Sequence, residues 1–176
     1  MEKNLLMEMY EGLITRRSIR KYTGDKIEPI VIEKIINAGM HAPSARNTRP
    51  WHFIVIDDKE IFSKIMEFHP YSSMLSAASH AVVVCGDDKL QNGPGYFVLD
   101  CSAAAQNILL ASHALGLGAV WVGIHPKKER IDTLKTILSL PAYVHPVALI
   151  SIGVPAIAPQ ADPHRYEPEK IRWNHW

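Results

Sequence analysis

The stretch Ala42-Pro43-Ser44-Ala45-Arg46-Asn47-Thr48-Arg49-Pro50-Trp51-His52-Phe53 runs a polar, turn-forming loop directly into an apolar segment. Two prolines fix its backbone, and Ser44 and Asn47 can present a hydroxyl and an amide to a polar partner. Any turn uses such residues, so alone the loop reads only as a pocket rim. Beyond it, Trp51-His52-Phe53-Ile54-Val55-Ile56 is strand-like and stops at Asp57-Asp58. Before it, Pro29 opens a helical pattern over 30–42, with Ile32, Ile35, Ile36 and Met40 at helical spacing.

The same reading extends outward in both directions. Leu5, Leu6, Met9, Leu13 and Ile14 predict an amphipathic helix over 2–15, which delivers Arg16-Arg17-Ser18-Ile19-Arg20. A short helix is expected over 59–67, and Ala81-Val82-Val83-Val84-Cys85 reads as a buried central strand. After a glycine-rich loop over 86–95, residues 96–115 form the longest helical candidate. Apolar nearly all round, it is expected to be a buried central helix. Gly116-Leu117-Gly118 ends it, and strands follow at 119–123 and 147–152, with a helix over 128–138 between them. The tail over 155–176 contains four prolines and reads as extended, fit to wrap a neighbouring subunit. Strands and helices mix without strict βαβ alternation, which gives an α+β class or a non-standard α/β sandwich.

Composition narrows the function. At 176 residues the chain reads as one domain over 1–176. With 19 Lys and Arg against 18 Asp and Glu, the basic excess of a nucleic-acid binder is missing. No run approaches the length of a membrane span, and the N-terminus lacks the apolar core of a signal peptide. The two cysteines, Cys85 and Cys101, form no CxxC pair and sit in apolar surroundings, which suits a reducing cytoplasm. Nine histidines lie scattered without HExxH spacing, so no metal site is expected.

Three guanidinium groups and a hydroxyl within 16–20 are what a compact anion requires, although a solvated basic face is the more ordinary reading of such a cluster. In an extended segment Arg16, Ser18 and Arg20 point to one side and Arg17 to the other. Gly116-Leu117-Gly118 runs from helix to strand, opposite to a dinucleotide loop, and neither GxGxxG nor GxxxxGK[ST] occurs. A GxSxG nucleophile elbow is also missing.

Three motifs together resemble the FMN-dependent nitroreductase family: R-R-S-I-R-K-Y, A-P-S-A-R-N-T-R-P-W-H-F, and the Ala-rich D-C-S-A-A-A-Q-N-I-L-L-A-S-H-A-L-G-L-G-A-V-W-V-G. They span about residues 13 to 124, and the second and third are specific. The resemblance implies an α+β three-layer sandwich, a mostly antiparallel sheet flanked by helices, in an intertwined homodimer with FMN at the interface. It implies an oxidoreductase that takes hydride from NADH or NADPH and reduces a small electrophilic acceptor, a nitroaromatic or quinone, by a ping-pong mechanism. The flavin carries that chemistry, so no catalytic side chain is expected. A non-catalytic flavin-binding or redox-sensing protein, and a dehalogenase-like or flavin-fragmenting enzyme of the same fold, are the alternatives.

By the same resemblance, Arg16 and Ser18 hold the FMN phosphate, with Arg17 beside them. Arg20 approaches the pyrimidine edge, where a cation stabilises reduced flavin. Pro43, Ser44 and Asn47 come from the other subunit to line the isoalloxazine and ribityl chain. Val122 and Gly123 lie near flavin N5, with Gly123 offering a backbone N–H. Near the C-terminus Arg165 keeps one half of a Lys-x-Arg phosphate pair; the lysine is absent, and His164 is its expected substitute. Ile124 stands where the family often has a second glycine, and its side chain is expected to narrow the space over the flavin. Arg49 replaces a common glutamine and sets a cation beside the ring or at the surface.

Overall fold

The computed structural model describes residues 8–157 and 165–176. Its chain order is α1 (Met9–Thr15), α2 (Pro29–Met40), β1 (Trp51–Ile56), α3 (Lys59–Phe68), β2 (His80–Asp87), α4 (Tyr96–Ala114), β3 (Gly118–Gly123), α5 (Lys128–Ile137) and β4 (Val144–Gly153). Pro29 opens α2, Asp58 caps α3 by accepting the Glu60 N–H at 2.7 Å, and left-handed Gly95 leads into α4.

The four strands make one antiparallel sheet in the order β1-β2-β4-β3. Alternation along the strands sorts their side chains onto two faces. Val82, Val84, Ala148, Ile150 and Ile152 pack with Ile32 and Ile35 of α2 and with Ala104, Ala105 and Ile108 of α4. Val83, Cys85, Val120, Val122 and Leu149 pack with Phe62 and Ile65 of α3 and Leu134 of α5. The result is a helix–sheet–helix sandwich, the α+β architecture the sequence implied. Burial pushes the Cys85 thiol up to about 12, so it acts as a small core hydrophobe.

Gly153 shows how tightly the N-terminal segment is seated. A Cβ there would lie 2.5 Å from the Tyr22 ring. Tyr22 in turn donates its hydroxyl to the Ile19 carbonyl at 2.8 Å. Gly153→Ala is therefore expected to destabilise the fold by about 1–3 kcal/mol through overpacking. An unchanged thermal midpoint would contradict this close approach.

Two expectations change. Leu5 and Leu6 of the N-terminal helix lie outside the described residues, and within α1 only Gly12 is buried. In α4 the sheet-facing stripe is buried, but Leu99 is 67% exposed. The helix is thus covered on one side and not all round, because one chain does not supply enough partners for both of its apolar faces. Met9, Leu13 and Ile14 of α1 are exposed as well. In the tail, Trp173 is 84% and Trp176 101% exposed. No helix among the described residues is long and apolar enough to cross a membrane.

Candidate functional site

The 16–20 segment is extended and lies along the outer edge of β3. Ser18 forms a parallel bridge with Ala119, and the Ile19 N–H donates to the Ala119 carbonyl at 3.0 Å. That carbonyl faces away from β4. In a strand the N–H and C=O of every second residue face the same way, so Trp121 and Gly123 turn their N–H groups to this same free edge. Because the bridge is parallel, Arg16, Ser18 and Arg20 run toward Gly123. That glycine lies roughly 13 Å along the strand from the Ser18 position.

Alternation divides the segment as its spacing predicts. Ile19 packs toward the core against Gly118, while Ser18 and Arg20 are exposed. Arg17 turns back, its Nη1 donating to the carbonyls of Ile14 and Arg16 at 2.8 Å each. Its guanidinium thus serves the C-terminal end of α1. Arg16 is half-buried, and its pKa is lowered first by burial, then by Arg165, then by Arg17. The fold therefore brings Arg165, far along the chain, beside Arg16. Among the described residues, neither has a carboxylate within salt-bridge distance. Two neighbouring guanidinium groups with no carboxylate partner among the described residues fit a phosphate dianion. Pro163 and His164 lie outside the described residues.

His113 of α4 completes this corner. Thr15 gives its hydroxyl proton to the Glu11 carbonyl at 2.6 Å, so in the 2.9 Å contact with Thr15 Oγ1 the His113 Nε2 is the donor. Burial, Arg16 and Arg17 together hold the His113 pKa below its ordinary value.

The 43–50 loop lies elsewhere. It leads into β1, at the opposite edge of the sheet, about 14 Å across from β3. Arg46, Asn47 and Arg49 have φ of 51°, 58° and 49°, left-handed values that cost non-glycine residues energy. The loop is held by its own side chains. Arg49 N–H donates to Ser44 Oγ at 3.0 Å, and Arg49 Nε to Asn47 Oδ1 at 2.8 Å. Arg49 therefore ties Ser44 to Asn47, taking one oxygen of each as acceptor. From below, Asp100 of α4 accepts the Ala45 N–H at 3.0 Å. Asp100 is 6% exposed, and its other oxygen and the Thr48 hydroxyl are buried without a partner among the described residues.

At the far end of β3, the Gly123 carbonyl accepts from His69 Nε2 at 2.9 Å and from Arg130 Nη1 at 2.8 Å. A Cβ on Gly123 would meet nothing within 4 Å, so the face of the sheet at this glycine is open. Val122 is buried, its side chain turned into the core. Ile124 is a correction: at 0% exposure its side chain is packed in the α3–α5 layer and does not narrow any space above the sheet edge.

The motifs do not single out Asp100, His69, Arg130 or His113 as site residues. Asp100 had a signal, as the one acid in the Ala-rich helix. His69 and Arg130 bind a backbone carbonyl, which leaves no trace in side-chain spacing. No cluster of His, Cys, Asp and Glu among the described residues could hold a metal ion.

The nitroreductase family model matches residues 13–69 and 66–154. A protein of Methanothermobacter thermautotrophicus, provisionally named NADH dehydrogenase/NAD(P)H nitroreductase, is 44% identical over 97% of this chain and 88% of its own. A provisionally named protein of the same description from Parabacteroides distasonis has a solved structure that superposes with TM-score 0.91. It is 38% identical over 96% of this chain and 98% of that one. A provisionally assigned nitroreductase from Desulfovibrio desulfuricans, solved in complex with FMN, gives TM-score 0.83 and 30% identity over 97% of this chain and 98% of that one.

Proposed function

Because the chain belongs to the nitroreductase family, we propose that it is an FMN-dependent NAD(P)H oxidoreductase acting on a small electrophilic acceptor of nitroaromatic or quinone type. One observation carries the reading. Arg16, Ser18, Arg20 and the Gly123 N–H lie in that order along one free sheet edge, matching the phosphate-to-ring order of a flavin mononucleotide. When bound, FMN supplies a two-electron centre that takes hydride from NADH or NADPH and passes it on in ping-pong fashion.

The residues of this chain bind, orient and polarise. Arg16 and Arg165 neutralise the phosphate, and the Ser18 hydroxyl donates to it. Arg20 supplies positive charge where negative charge develops on reduction. Arg17 supports this site through the end of α1. Pro43, Ser44 and Asn47 stand too far from this edge to serve the same flavin. They serve instead the flavin held by a second copy, so the active unit is a homodimer. The exposed stripe of α4, the apolar side of α1 and the aromatic tail supply the surface for that pairing, with the tail wrapping the partner. Two buried thiols suit a reducing cytoplasm.

The test is direct. The purified protein carries flavin absorbance, bleaches with NADH or NADPH under anaerobic conditions, and regains colour with a nitroaromatic or quinone. Failure to bleach with either nucleotide sinks the oxidoreductase reading.

A further inference from the structure

Two donors converge on one backbone oxygen at the end of β3. His69 is 2% exposed and stands edge-on to the rings of Phe68 and Tyr71. Its Nδ1 accepts the Tyr71 N–H at 3.2 Å, which leaves the ring proton on Nε2, aimed at the Gly123 carbonyl. Arg130, from the first turn of α5, brings a permanent positive charge to the same oxygen. The carbonyl oxygen has two lone pairs and accepts both donors, but ordering a long cationic side chain to reach it costs rotamer entropy and asks for a reason.

Gly123 supplies that reason. It sits at the free edge of the sheet, carries no side chain, and has open space where a Cβ would be. Glycine has the greatest backbone freedom of any residue, and nothing steric restrains this one. Its outward N–H would therefore wander unless the adjoining peptide is held. His69 and Arg130 hold it from two elements, the end of α3 and the start of α5.

We propose that His69 and Arg130 are positioning residues that hold the Gly123–Ile124 peptide and so restrict the backbone at Gly123, which keeps the N–H of the preceding peptide, that of Gly123, turned outward, toward flavin N5. Arg130 also places a positive charge at that end of the edge. The proposal rests on the flavin reading above. Both residues lie far from the Arg16–Arg165 corner, so they govern the electron affinity of the site and leave phosphate affinity nearly unchanged. A fixed N–H donor beside the hydride-accepting atom and a nearby cation both favour hydride entry.

The test uses Arg130→Met, which keeps length but loses charge and donors, with Arg130→Lys and His69→Gln as conservative partners. Gln can present an amide N–H at the reach of Nε2. In the flavin-free protein, glycine-selective 15N labelling gives ten glycine positions to resolve. Arg130→Met is expected to move the Gly123 amide resonance and lower its order parameter below the rigid-backbone value of about 0.85. With FMN, the midpoint potential falls and reduction by NAD(P)H slows about tenfold, while the FMN dissociation constant stays within about threefold. Arg130→Lys and His69→Gln recover most of the potential. A Gly123 resonance and a midpoint potential both unchanged in Arg130→Met overturn the proposal. If the wild-type chain takes up no FMN, the functional reading fails by itself, and the amide measurement still decides whether the peptide is locked.

Discussion

Arg16→Ala raises the FMN dissociation constant about a hundredfold, whereas Arg17→Ala changes it by less than about threefold. Arg16 lies near Arg165 with no acid to pair with either among the described residues, and burial first and Arg165 second disfavour its charged form. A phosphate removes the repulsion and gains charge-assisted hydrogen bonds of about 1.5–3 kcal/mol each. Arg17 is committed to the carbonyls of Ile14 and Arg16, so its loss loosens the end of α1 and leaves the anion site in place. Riboflavin is the control, because it lacks the phosphate: Arg16→Ala leaves riboflavin affinity alone. Fluorescence titration with both ligands decides the matter. Equal losses for Arg16→Ala and Arg17→Ala, or an equal loss for riboflavin, contradict the assignment.

Loss of the second copy is expected to abolish flavin retention altogether. Leu99 and Ala103 lie on the α4 stripe turned away from the sheet; Leu99 is largely exposed and Ala103 half-buried in the single chain. Replacing both with glutamate puts two charges on each copy where the proposed interface forms, and like charges facing across a dry contact cost several kcal/mol. The double variant is expected to elute as a monomer, to unfold within a few degrees of the separated wild-type chain, and to come out colourless. These effects are coupled because the 16–20 segment and the 43–50 loop occupy opposite edges of one sheet. A monomer that keeps its flavin at wild-type affinity would show that a single chain completes the site.

Much of this was readable in the residues because it depends on local rules. The strand over 51–56 begins and ends where the sequence placed it, since Asp57-Asp58 both stop the apolar run and start the cap of α3. The long helix ends at Gly116, which adopts the left-handed φ of 74° that only glycine takes freely. The facing of Arg16, Ser18 and Arg20 followed from the parity of an extended chain. Other features depend on what meets them in space. β2 extends outward to His80 and Asp87, and β4 back through Pro146 to Val144, because their polar or proline-bearing ends find partners on each other. Pro146 is tolerated beside the register shift between Val84 and Cys85. Ile124 read as a flavin neighbour from the order of motifs, yet the strand ends at Gly123 and the next side chain drops into the core. Asp100, His69 and Arg130 act on main-chain atoms, and residue type alone does not say which main-chain atom lies opposite.

The bridges of Ser18 to Ala119 and of Tyr22 to Pro155 join the start of the chain to its last third. A ribosome adds roughly 5–20 residues per second, so the arginine-bearing segment leaves it seconds before the strand that will receive it. Contacts so distant in sequence are slow to close, because a long loop must be ordered before they form. The first half of the cofactor cradle to be synthesised is thus among the last to be seated. FMN loading is consequently an event of the finished chain, and a nascent protein stalled before residue 118 has a phosphate-binding sequence with no site in which to use it.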